Sequence, residues 1–164
     1  DFFLHKPDLA AERALFVHLS RAQFAAASFL DDRVLAPQSQ GAWFRFTHLA
    51  RVLESAPAPT QALNFIFHMG HAGSTLLSRL IESAGGVLAL REPLTLRTLA
   101  EANDEKGVAH AMASDTQLEW LMRMQIMLWR RGYDDTHAVS VKATSAAARL
   151  APMLLAQAPE ARAV

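Results

Sequence analysis

The stretch "LNFIFHMGHAGSTLLSRLIESA", residues 63 to 84, restricts what this chain can fold into more than any other. A short apolar run rich in phenylalanine and isoleucine suits a buried strand, and the leucine-rich run after it suits a helix. Between them Gly70 and Gly73 let the backbone turn tightly and approach an oxyanion, while Ser74 and Thr75 add hydroxyl donors. A helix N-terminus presents unpaired N–H groups and a positive dipole end, so a strand, glycine turn and helix in this order make a cradle for phosphate or a related anion. A nucleotide triphosphatase loop has the form G-x-x-x-x-G-K-[ST], whereas here position 68 is histidine and position 74 is serine. Without the first glycine and the lysine, ATP or GTP hydrolysis is disfavoured. The plain alternative is a strand-to-helix turn that binds nothing.

The rhythm of strand and helix continues to the end of the chain. After Gly85 and Gly86 close the helix, "VLAL" reads as a second buried strand and "TLRTLAEAN" as a helix. "SDTQLEWLMRMQIMLWRRG" is a long helix opened by the Ser114 and Gln117 capping box and stopped at Gly132. "HAVSVKA" is a third strand, "AARLAPMLLAQ" a helix that Pro152 kinks or begins, and "ARAV" the start of a fourth strand. Strands separated by helices imply a parallel sheet with helices on both faces. The segment before "APAPTQ", residues 56 to 61, follows a different pattern. "PDLAAERALFVHLSRAQFAAASFLDD" reads as two helices, with a capping box at Ser20 and Gln23 and a hydrophobic staple between Leu19 and Phe24. "WFRFTHLARVLES" places Trp43, Phe46, Leu49 or Ala50, and Leu53 at helical spacing. The expectation is a helical N-terminal extension over residues 1–60 and an α/β domain over residues 61–164.

Composition narrows the class of partner. At 164 residues, 51% hydrophobic, the chain can bury one ordinary core. Sixteen basic and sixteen acidic side chains cancel, so no global field draws it to nucleic acid or to an acidic membrane surface, and the expected partner is small. The absence of cysteine excludes a disulfide framework and a thiolate metal site and fits a cytoplasmic setting. No apolar run approaches the roughly 20 residues of a membrane span, and "DFFLHKPDLA" lacks the form of a secretory signal.

The stretch "FIFHMGHAGSTLLSRLIESAGGVLALREP" resembles the sulfotransferase family, whose members use 3′-phosphoadenosine-5′-phosphosulfate. The likeness consists of an apolar strand, a loop of the form G-x-x-G-[ST]-T, a leucine-rich helix, a second short strand and an acidic residue beside proline. It spans Leu63 to Lys142. It implies a P-loop three-layer α/β/α fold with a parallel sheet, in which Gly70, His71, Ala72, Gly73, Ser74 and Thr75 wrap the 5′-phosphosulfate of the donor. Where the family usually has lysine or arginine, two positions before the second loop glycine, this chain has His71, which carries a positive charge only when protonated. In the family the donor's 3′-phosphate is held by an arginine and a serine after the next strand, which begins here at "PEARAV"; the expectation is that the C-terminal part of the domain lies beyond this sequence.

Glu92 and Lys142 complete the expected site. Glu92 follows the second strand, where many carbohydrate-acting members of the family carry an acidic general base, and the resemblance implies that it takes the proton of an acceptor hydroxyl or amine. The alternative is a first-turn acid beside Pro93 favouring the helix dipole. Lys142 ends the third strand and, by the same resemblance, faces the transferring group, where a fixed cation stabilises charge on the equatorial oxygens. Arg91 reads as a solvated arginine, and Ser145 as the cap of the following helix. The histidines 5, 18, 48, 68, 110 and 137 show no pair at metal spacing, so no metal is assigned. Met122, Met124 and Met127 belong with the leucines and tryptophans around them in the core. Two other functions are open: a nucleotide or small-molecule kinase on the same fold, opposed by the missing lysine and the lack of a magnesium-binding aspartate after a strand, and an inactive binding module that keeps the loop as a turn.

Overall fold

The computed structural model describes residues 2–70 and 72–164. Its C-terminal part is α/β: a four-stranded parallel sheet flanked by helices. The elements run β4 (Ala62–Ile66), α3 (Ser74–Ser83), β5 (Val87–Arg91), α4 (Leu94–Asp104), α5 (Asp115–Trp129), β6 (Ala138–Lys142), α6 (Ala151–Gln157) and β7 (Arg162–Ala163). They follow β1 (Phe2–Asp8), β2 (Arg13–His18), α1 (Arg21–Ala26), β3 (Gly41–Arg45) and α2 (Phe46–Ser55). The sheet order is β5-β6-β4-β7, with every pairing parallel. Its central strand β6 is buried along its whole length, as expected of a parallel strand covered on both faces.

Register assigns the two faces. Leu90, Val141 and Phe65 align across the sheet, as do Arg91, Lys142 and Ile66. Successive residues of a strand point to opposite faces. On the first face Phe65 meets the ring of Trp129 from α5 at 6.4 Å. On the second Arg91 reaches Glu82 of α3. Helices therefore cover both sides. The chain leaves β4 toward β5 and leaves β6 toward β7, so the carboxyl ends of the two neighbouring strands carry crossovers running in opposite directions. Open α/β sheets bind ligands at such a point.

The expected helical extension over residues 1–60 is corrected. β1, β2 and β3 form an antiparallel sheet in that order, and among the described residues only α1 and α2 are α-helical there. The alanine-rich "DLAAERALF" favours a helix by local propensity, yet Ala14, Phe16 and Val17 of β2 are buried by pairing with β1 on one side and β3 on the other. Non-local pairing and burial override local preference in strands. Trp43 likewise lies in β3, with the helix beginning at Phe46. The Ser20 capping box is present in both directions at the start of α1, and Leu19 and Phe24 are both buried beside it. One hydrophobic core runs from Phe3 and Phe16 of the first sheet to Phe65 and Val139 of the second.

The first sheet is tied to the next segment by charge. His5, fully buried, places Nε2 2.8 Å from Asp32 Oδ1, and Lys6 Nζ donates to the same oxygen at 3.3 Å. The hydrogen bond with His5, followed by that from Lys6, holds the Asp32 carboxyl below its ordinary value. A carboxyl depressed in the folded state contributes stability above its unfolded value, about 3.9, and loses it as pH falls through the folded value. Asp32→Asn is therefore expected to lower stability at pH 7 and to flatten the acid limb below about pH 4. Urea unfolding at pH 7 and pH 3 checks both.

Candidate functional site

The glycine loop sits at the carboxyl edge of β4. Gly70 and Gly73 adopt left-handed φ values of 80° and 72°, and Gly73 is the N-cap of α3. A Cβ placed on either would meet nothing within 4 Å, so the backbone faces open space rather than packed protein. α3 has no side-chain cap and no acidic residue in its first turn. Among the described residues, no hydrogen bond engages the N–H groups of Gly73, Ser74, Thr75 or Leu76; the first backbone bond of the helix runs from Leu77 N–H to Gly73 C=O at 3.1 Å. Ser74 is buried, Ala72 exposed and Thr75 half-buried. His71, expected to supply the loop's cation, lies outside the described residues.

Glu92 and Lys142 meet beside this loop. The ammonium of Lys142 donates to Glu92 Oε1, and the Glu92 N–H donates to the Lys142 carbonyl at 2.7 Å. The two side chains are 17% and 2% exposed. Glu92 has a φ of 50°, in the left-handed region that a residue with a Cβ seldom occupies. The surrounding bonds fix it there: the Arg91 carbonyl accepts from Leu30 N–H at 2.7 Å, and the Leu30 carbonyl accepts from Leu94 N–H at 3.1 Å. Strain of this kind persists only where the neighbourhood over-determines it, and it concentrates at functional sites. Pro93 is the N-cap of α4, whose first turn contains no acid. The Glu92 carboxylate thus answers to Lys142, not to the N-terminus of α4.

His68 is the third member of the cluster, and sequence reasoning missed it. Its Nδ1 accepts the Gly70 N–H at 3.1 Å, and its Nε2 lies 3.8 Å from Glu92 Oε1. The side chain is 9% exposed. The sequence carries a signal, a histidine that follows β4 and stands two residues before Gly70. Among the described residues, no group of three or more histidine, cysteine, aspartate or glutamate side chains is arranged to hold a metal ion. No helix among the described residues is long and apolar enough to cross a membrane.

Two further expectations are corrected. Arg91 is fully buried: Nε donates to the Ala27 carbonyl at 2.7 Å, Nη2 to those of Phe24 and Ala25 at 2.7 and 2.9 Å, and Nη1 to Glu82 at 2.9 Å. It closes the C-terminus of α1, whose last carbonyls have no helical partner, and faces no solvent. Thr144, not Ser145, caps the turn after β6, its hydroxyl accepting from Ala147 N–H at 3.2 Å. A separate apolar cavity of about 130 Å³ lies among Phe3, Phe16, Phe24, Leu90 and Trp129, away from the loop.

Comparison of the chain with family models, curated proteins and solved structures gives no match.

Proposed function

We propose that the chain is sulfotransferase-like and transfers a sulfuryl group from 3′-phosphoadenosine-5′-phosphosulfate to a hydroxyl or amine, as a cytoplasmic enzyme that uses no metal. The observation that carries this reading is the meeting of a partly buried carboxylate and a buried ammonium at the strand edge where an open glycine loop starts a helix. The donor's phosphosulfate oxygens fit the Gly70–Thr75 loop, because left-handed glycines leave room for an anion against N–H groups that have no partner among the described residues. His71 would add charge to the leaving phosphate when protonated. The acceptor's oxygen or nitrogen attacks sulfur, the bond from sulfur to the 5′-phosphate oxygen breaks, and adenosine 3′,5′-bisphosphate leaves. The acceptor's proton passes to Glu92, and Lys142 stabilises charge on the equatorial oxygens.

A second reading draws on the same pair. Lys142 and Glu92 already satisfy one another, which also suits a module that binds an anion without turnover. Both readings expect inorganic sulfate to stabilise the fold. Occupancy at ten times Kd contributes about 1.4 kcal/mol, which raises the Tm of a chain this size by about 3–5 °C. No shift at millimolar sulfate in a thermal melt contradicts both and supports an inert turn. Movement of ³⁵S from labelled donor to a carbohydrate or phenol acceptor separates them, because only the enzyme produces it.

A further inference from the structure

Glu92 has one partner and a second within reach. Lys142 holds Oε1, while His68 Nε2 stands 3.8 Å from the same oxygen, beyond hydrogen-bond distance. Because Nδ1 of His68 accepts the Gly70 N–H, the proton of the neutral ring sits on Nε2. That Nε2 is buried and has no partner among the described residues, an arrangement that costs free energy and calls for an explanation. Lys142 is also buried, and Glu92 is the only acceptor its ammonium has among the described residues. An oxyanion arriving in the loop would compete with Glu92 for that ammonium.

We propose that His68 is a positioning residue that takes over Glu92 when an oxyanion in the loop draws Lys142 away. The inference rests on the reading that the Gly70–Thr75 loop binds an anion. In the exchange Lys142 turns its ammonium to the anion, and the Nε2–H of His68 closes by about 1 Å to donate to Glu92 Oε1. Without His68, the release of Lys142 would leave a largely buried carboxylate unpaired beside an incoming negative charge, and the anion would bind weakly. With it, the carboxylate keeps a donor. The same imidazole holds the Gly70 N–H on its other nitrogen, so one ring joins the loop that receives the anion to the carboxylate that would receive the acceptor's proton.

The test titrates inorganic sulfate into wild type, His68→Asn, Glu92→Gln and the double variant, with calorimetry for affinity and imidazole ¹⁵N–¹H spectra for the ring. Asparagine can still accept the Gly70 N–H through its side-chain oxygen but cannot reach Glu92. His68→Asn is expected to weaken sulfate about tenfold in the wild-type background, the order of one charge-assisted hydrogen bond, and to have no effect in the Glu92→Gln background. The His68 Nε2–H signal should move on sulfate addition in wild type and stay in place in Glu92→Gln. Additive losses in the cycle, or a ring signal indifferent to bound sulfate, would overturn the exchange while leaving the anion site intact. Failure of wild type to bind sulfate would overturn both.

Discussion

Arg91→Leu is expected to destabilise the fold by about 3–5 kcal/mol, the cost of removing one partner from a buried charged network. Leucine fills part of the volume but leaves the carbonyls of Phe24, Ala25 and Ala27 without donors and the Glu82 carboxylate without its cation. Those carbonyls end α1, which packs beside β5, so the loss spreads to the seam between the two sheets. Arg91→Lys should recover only a minor part, because an ammonium is a point donor and cannot span three carbonyls and a carboxylate as a planar fork does. Denaturant unfolding of both variants checks the size and the order. A loss below about 1 kcal/mol would place Arg91 among ordinary surface residues.

Glu92→Gln is expected to lower the rate of sulfuryl transfer by about 10²-fold or more, with donor affinity little changed. The amide keeps the shape of the carboxylate but cannot accept the acceptor's proton. The amide oxygen can still accept from the Lys142 ammonium, so the cation stays in place and donor binding is not expected to weaken. Single-turnover measurements with labelled donor separate transfer from binding. Unchanged turnover would reduce Glu92 to a structural partner of Lys142.

The parallel sheet was legible in the sequence because each of its elements declares itself locally. "LNFIF", "VLAL" and "HAVSVK" are apolar runs bounded by glycine or polar residues, and Ser114 opens α5 with a hydroxyl that accepts from Gln117 N–H at 3.2 Å. The first sheet was not legible, since β2 is a strand only because β1 and β3 lie against it, and nothing within "RALFVH" records those partners. The site divides in the same way. Glu92 and Lys142 each stand at the end of a strand, and parallel register alone brings Arg91 opposite Lys142. The roles of His68 and Arg91 depend on what faces them, a loop amide and a carboxylate for one and the end of α1 for the other. The Gly70 amide is local to His68, but Glu92 and the end of α1 are distant in sequence and meet these side chains only in three dimensions.

On the proposed function, the Gly70–Thr75 loop, with Lys142 beside it, receives a sulfated nucleotide donor. Calorimetric titration with adenosine 3′,5′-bisphosphate tests it most directly. The account predicts saturable binding that is unchanged by a magnesium chelator, displaced by inorganic sulfate, and weakened by Gly73→Val, which forces a β-branched residue into the left-handed φ of 72° at the start of α3. Binding of ATP with magnesium in place of the bisphosphate, or bisphosphate binding untouched by Gly73→Val, would contradict it.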